Sequence, residues 1–115
     1  MRVIVCGGRD YTDGTTVARV ISALNPVGTV VVHGGARGAD SLAADWCRTF
    51  GVPEEPHPAD WNLHGKAAGP IRNQAMLEAG ADLVIAFPGG AGTADMVGRA
   101  RSAGVPVLHV DGGAA

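Results

Sequence analysis

Apolar residues in this chain gather in short unbroken runs. Between the runs they recur every three or four positions. The runs are Val3 to Cys6, Thr29 to His33, Ala81 to Phe87 and Val105 to Val110, with a weaker one from Val52 to His57 that contains Pro53. Unbroken β-branched runs fit strands buried on both faces, and a proline inside a run suits an edge strand. Val17, Val20, Ile21 and Leu24 keep helical spacing up to Asn25-Pro26. Ala39, Leu42, Ala43, Trp46, Cys47 and Phe50 mark a second helix face, stopped by Gly51. Ile71, Ala75, Met76 and Ala79 continue a helix opening near Pro70, and Met96, Val97, Ala100 and Ala103 mark another, ended by Gly104. Pro58 to Gly69 has no such pattern and reads as a long loop, a kind of segment that is more often functional than idle.

The resulting order is β-α-β-α-β-loop-α-β-α-β. Strict alternation implies right-handed crossovers and a parallel sheet. The expected fold class is α/β: a Rossmann-like, doubly wound sheet of about five parallel strands with helices on both faces. One domain over 1–110 and a flexible tail over 111–115 are expected. Ligands of such sheets bind beyond the strands' carboxyl ends, near the switch point.

Three glycine-rich turns lie at those ends. They are Cys6-Gly7-Gly8-Arg9-Asp10, His33-Gly34-Gly35-Ala36-Arg37-Gly38-Ala39-Asp40 and Pro88-Gly89-Gly90-Ala91-Gly92-Thr93-Ala94-Asp95. Glycine lets backbone N–H groups approach a ligand, and a helix start favours an anion, above all a phosphate. Gly89, Gly90 and Gly92 can form an anion nest, with the Thr93 hydroxyl as a phosphate donor or helix cap. Gly34 and Gly35 repeat the design with Arg37, which can fork onto a phosphate or pair with Asp40. Gly7 and Gly8 carry Arg9, a phosphate or ribose contact. In the long loop, Asp60 and Trp61 are base or ribose contacts, Lys66 and Arg72 flank an anion site, and Asn73 can read a base edge or ribose hydroxyl. The third turn is not a Walker A loop, since no Gly-Lys-Ser/Thr follows, and Asp95 stands where a dinucleotide fingerprint ends in glycine.

Composition narrows the field. Among 115 residues 46% are hydrophobic but only 4% aromatic, so the core is built of Val, Ala, Leu and Ile. A net charge of −2 argues against a global field for duplex DNA or an anionic membrane. Single-strand binding needs clustered cations and stacked aromatics, which two tryptophans barely supply. Cys6 and Cys47 form no CxxC, and His33, His57, His64 and His109 show no metal-ligand spacing. Buried reduced thiols, no metal and no cofactor are expected. A cytoplasmic location is expected too, because glycines interrupt the first apolar run and no segment is long enough to span a bilayer.

Gly7-Gly8-Arg9-Asp10, the His33–Asp40 turn, Gly69-Pro70-Ile71-Arg72-Asn73 and Pro88-Gly89-Gly90-Ala91-Gly92-Thr93, taken in order, resemble the SLOG superfamily. That grouping joins Lonely Guy phosphoribohydrolases, Smf/DprA proteins and YpsA-like proteins, and the small YspA/YpsA-related branch is the nearest in pattern. The resemblance implies a Rossmann-like fold, a nucleotide-derived ligand on the Pro-Gly-Gly-x-Gly-Thr turn, and pairing into a homodimer. In the Lonely Guy branch a nucleoside 5′-monophosphate is cleaved to free base and ribose 5-phosphate, with an arginine that Arg72 matches and a glutamate whose position here is Met96. A carboxylate stabilises the charge that builds on the sugar, and methionine cannot. An enzyme would need Asp95, Asp40 or Asp60 as a substitute, with Arg72, Asp95 and Asp40 the candidate catalytic set. Two readings stay open: a nucleotide-binding module that senses, carries or sequesters its ligand, and a phosphoribohydrolase-like enzyme acting on a nucleoside monophosphate or ADP-ribose-like compound. Single-strand DNA binding comes third.

Overall fold

The computed structural model describes residues 1–24 and 27–111. Strand β1 (Arg2–Cys6) lies at the centre of a five-stranded sheet of order β3-β2-β1-β4-β5. Its neighbours are β2 (Val30–His33) and β4 (Leu83–Ala86), and the edges are β3 (Glu54–Pro56) and β5 (Val107–His109). All four pairings are parallel, with Val3 opposite both Val31 and Leu83. The chain winds outward through β2 and β3, then returns to the other side of β1. The crevice between β1 and β4 is therefore the switch point, where α/β sheets bind ligands.

Alternation along the strands divides the core into two layers. Val3, Val5, Val31, Ile85 and Phe87 pack with Val17 and Ile21 of α1 (Gly14–Ser22) and with Ala43 and Cys47 of α2 (Ala39–Phe50). Ile4, Cys6, Val32, Val84 and Ala86 point the other way, onto Met76 and Leu77 of α4 (Ala68–Glu78) and Met96, Val97 and Ala100 of α5 (Ala91–Ser102). Helices thus cover both faces of one parallel, Rossmann-like sheet.

Several sequence expectations need correction. The long loop contains a short helix, α3 (Trp61–His64), and a 3-10 turn over Gly65–Ala67. Asp60 caps α3 by accepting the Leu63 N–H at 3.1 Å, a local feature that apolar periodicity does not report. Phe50 is 65% exposed and stacks on Trp46 at 5.1 Å on the surface, because α2 turns it away from the sheet. Along α4 the buried face is Ala68, Gly69, Asn73, Met76 and Leu77, whereas Ile71, Ala75 and Ala79 are exposed. That face is set by α5 and the site rather than by greasiness. Asn25-Pro26 and the tail from 112 onward lie outside the described residues. Both cysteines are free and buried, and burial pushes the Cys6 thiol up to about 12 and that of Cys47 up to about 11. Among the described residues, no helix is long and apolar enough to cross a membrane.

Candidate functional site

The three turns meet at the carboxyl end of β1, and they are laced together by backbone. Gly8 donates its N–H to the Pro88 carbonyl at 2.8 Å, and the Gly8 carbonyl accepts from Tyr11 at 3.2 Å and Ala39 at 3.3 Å. Gly38, at φ +78, lies so close to the Gly8 carbonyl and to Arg9 that a Cβ there has no room. Gly7 and Gly89 are likewise packed against neighbouring turns. Tyr11 covers this junction, with its ring 5.4 Å from that of Phe87.

The turn after β2 is occupied by its own carboxylate. Asp40, 6% exposed, takes the N–H of Gly34 at 2.8 Å and of Ala36 at 3.3 Å on Oδ2. The Gly35 N–H goes to His33 Nδ1 at 3.0 Å. Asp40 therefore faces inward and forms no ion pair with Arg37, contrary to the surface pairing their spacing allows. Burial pushes the Asp40 carboxyl above its ordinary range, opposed by the N–H groups of Ala36 and Gly34.

Arg72 fills the space over Gly34 where a side chain would otherwise stand. Its Nη1 donates to the Gly34 carbonyl at 2.8 Å and its Nε to Asn73 Oδ1 at 3.0 Å. Nη2 has no hydrogen-bond partner among the described residues. Burial lowers the guanidinium's proton affinity, Asp40 restores part of it, and the charge of nearby Arg9 lowers it again. Asn73 is 4% exposed. Its amide nitrogen donates to the Gly92 carbonyl at 3.2 Å and to Asp95 Oδ2 at 3.0 Å. Asp95 also accepts from Arg99 Nε at 2.9 Å.

The turn after β4 is open. Gly90 caps α5 without any side-chain hydrogen bond, and the N–H groups of Gly90, Ala91, Gly92 and Thr93 have no partner among the described residues. A Cβ added at Gly90 or Gly92 would meet nothing within 4 Å. These donors border a cavity of about 680 Å³, inside the roughly 300–1,000 Å³ typical of ligand pockets. Gly7, Gly8, Arg9, Trp61, Lys66, Arg72, Asn73, Gly90, Gly92 and Thr93 all line it, as do Asp40 and Asp95. Arg9 lies over the Trp61 ring, 5.5 Å from its centroid.

Gly34, Gly35 and Arg37 line instead a neighbouring cavity of about 260 Å³, shared with Arg9, Trp61 and Arg72. Gly89 borders neither cavity, and Asp60 caps α3 beside a different hollow. The sequence reading missed the apolar floor of the main cavity, formed by Val5, Cys6 and Met76. One signal was available: Met76 follows Arg72 by four positions and so shares its helix face. The cations divide by location. Arg2, Arg48 and Arg99 pair with Glu55, Glu54 and Asp95. Arg9, Arg37, Lys66 and Arg72 face the cavities and form no carboxylate ion pair among the described residues.

A parallel sheet of order 3-2-1-4-5 with glycine turns gathered at its switch point defines a Rossmann-like, doubly wound α/β protein. The profile of the "YAcAr: YspA, cpYpsA-related SLOG family" matches residues 1–64, and the chain belongs to that family. It is 45% identical, over 118 aligned residues and 94% of each chain, to the "Gene 61 protein" of Mycobacterium phage D29. Two crystal structures share the fold. TM1055, a structural-genomics target, superposes with a TM-score of 0.75 at 21% identity, over 96% of this chain and 74% of that one. DNA processing protein A (DprA) from Streptococcus pneumoniae superposes with a TM-score of 0.81 at 20% identity, over 98% of this chain and 51% of that one. The chain thus spans about half the length of DprA.

Proposed function

We propose that this protein binds a nucleotide or a nucleotide-derived phosphorylated ligand in the cavity between β1 and β4, as a sensing, carrying or sequestering module. The observation that carries this reading is the run of N–H groups from Gly90 to Thr93, which have no partner among the described residues and border a cavity that Arg9, Lys66 and Arg72 also line. Convergent N–H groups and a helix start favour phosphate, and guanidinium groups free of carboxylates strengthen the field inside a cleft. Trp61, 47% exposed beside Arg9, offers a face on which a base can stack. Apolar Val5, Cys6 and Met76 suit the uncharged part of the ligand. Such a protein needs no metal or organic cofactor to bind, and a homodimer is the assembly proposed from its resemblance to pairing relatives.

The phosphoribohydrolase reading depends on a carboxylate at the sugar. Met96 is fully buried in the core. Asp60 borders another hollow, and Asp40 is committed to the turn after β2. Asp95 offers a carboxylate on the cavity wall beside the open turn, tied to Asn73 and Arg99, so in this reading Arg72 and Asp95 come first in the candidate catalytic set, ahead of Asp40.

Incubation with nucleoside 5′-monophosphates and ADP-ribose-type compounds, followed by mass spectrometry of the bound fraction and of released products, separates the readings. Retained intact nucleotide without products supports the binding module. Free base and ribose 5-phosphate, lost in Asp95→Asn with affinity kept, would install the hydrolase in its place. Absence of both binding and products would refute the nucleotide reading.

A further inference from the structure

One phosphoryl group on the open turn leaves the neighbouring cavity unexplained. At about 260 Å³ it falls below the usual size of a ligand pocket. It shares Arg9, Ala36, Trp61 and Arg72 with the main cavity, so it is an annex to that space rather than a site for a second molecule. Three arginines, Arg9, Arg37 and Arg72, line it, and among the described residues no aspartate or glutamate does. Asp40, three residues after Arg37, is turned inward and spent on the N–H groups of Gly34 and Ala36. The Gly35 N–H is taken by His33. Recognition in the annex therefore falls to arginine side chains rather than to backbone. Planar guanidinium forks match phosphoryl oxygens better than any other side chain does.

We infer that the ligand carries two phosphoryl groups, one on the Gly90–Thr93 turn and a second in the annex, held by Arg37 with Arg9 and Arg72. This rests on the nucleotide reading above and narrows it to a nucleoside with two phosphoryl groups. The second group can extend the 5′-phosphate or sit on a ribose hydroxyl. The shared chemistry is a pair of phosphoryl groups close enough together to reach both cavities.

The test is calorimetric titration of the protein with 5′-monophosphates, 5′-diphosphates and 3′,5′-bisphosphates of the four common ribonucleosides, repeated with Arg37→Gln. Arg37 is exposed, so the variant keeps the fold. For the preferred base, one two-phosphate series is expected to bind at least about tenfold tighter than its monophosphate, and Arg37→Gln is expected to bring that ratio to about one. The series that gains tells where the second group is attached. Monophosphate binding with no gain from a second phosphoryl group, or a gain that Arg37→Gln leaves intact, overturns the inference and spares the nucleotide reading. Failure of every compound to bind removes both.

Discussion

The turns after β2 and β4 begin alike, Gly34-Gly35-Ala36 and Gly89-Gly90-Ala91, and each has an aspartate six residues after its first glycine. They use their N–H groups in opposite ways. Asp40 folds back and fills its turn, whereas Asp95 turns toward Asn73 and Arg99 and leaves its turn open. The difference lies in where the helix starts. Gly38, in the left-handed region, delays α2 until Ala39, so Asp40 is its second residue and reaches the preceding N–H groups. Helix α5 starts at once, at Ala91, so Asp95 is its fifth residue and has passed beyond the first turn. One motif thus gives a turn sealed by its own aspartate and a turn that borders the cavity, through a shift of three residues in helix onset.

The comparison can be broken at its sealed end first. Asp40→Ala leaves the N–H groups of Gly34 and Ala36 without their acceptor and takes a nearby negative charge away from Arg72. We expect a loss of about 3 kcal/mol in urea unfolding, and an unchanged midpoint would show that the carboxylate does not hold the turn. At the open end, Gly90→Val places its Cβ where nothing stands within 4 Å. Affinity for the retained nucleotide should fall by at least about 100-fold, or roughly 2.7 kcal/mol, with the unfolding midpoint nearly unmoved. A folded Gly90→Val that binds normally would remove the open turn from the site.

Gly34→Ala sharpens the contrast, because its methyl group meets the Arg72 guanidinium. Displacing that group should weaken binding about tenfold, although the Gly34 N–H belongs to Asp40. Affinity equal to the wild type would mean that Arg72 makes no ligand contact. The smallest effect is expected away from both turns, at Glu55. Hydrogen bonds from Arg2 and then His57 lower its carboxyl to about 2. A depressed native value means that the unfolded chain binds the proton more readily. The stability Glu55 contributes is therefore complete above its ordinary 4.5 and lost as pH falls toward about 2. Glu55→Gln should erase that component of acid unfolding, within about 1 kcal/mol because the pair is partly exposed. An unchanged acid profile would discard the assignment.

Most of the fold was legible because its three inner strands are buried on both faces and leave unbroken apolar runs. Pro53 correctly marked the β3 run as an edge. The inward face of helix α4 was misplaced in part, because its first half turns Gly69 and Asn73 inward ahead of Met76 and Leu77. Within the candidate site, glycine turns and lone cations are visible as letters. What the letters do not carry is direction: Asp40 inward, Asp95 sideways and Arg72 folded over Gly34 follow from helix onset and from contacts 38 residues apart in sequence. Met96 read as a core residue, and it is fully buried.

The tether of Arg72 to Gly34 and Asn73 also bears on the entropy of association. A free arginine gives up much rotamer freedom when a ligand immobilises it, on the order of 0.5–1.5 kcal/mol per side chain. Arg72 has already surrendered that freedom during folding, with Nη2 left over. Asn73 and Asp95 extend the same rigidity to the start of α5. A ligand entering the cavity meets one wall that is set in advance, so the ordering cost of recognition falls mainly on the exposed side chains of Arg9, Lys66 and Trp61.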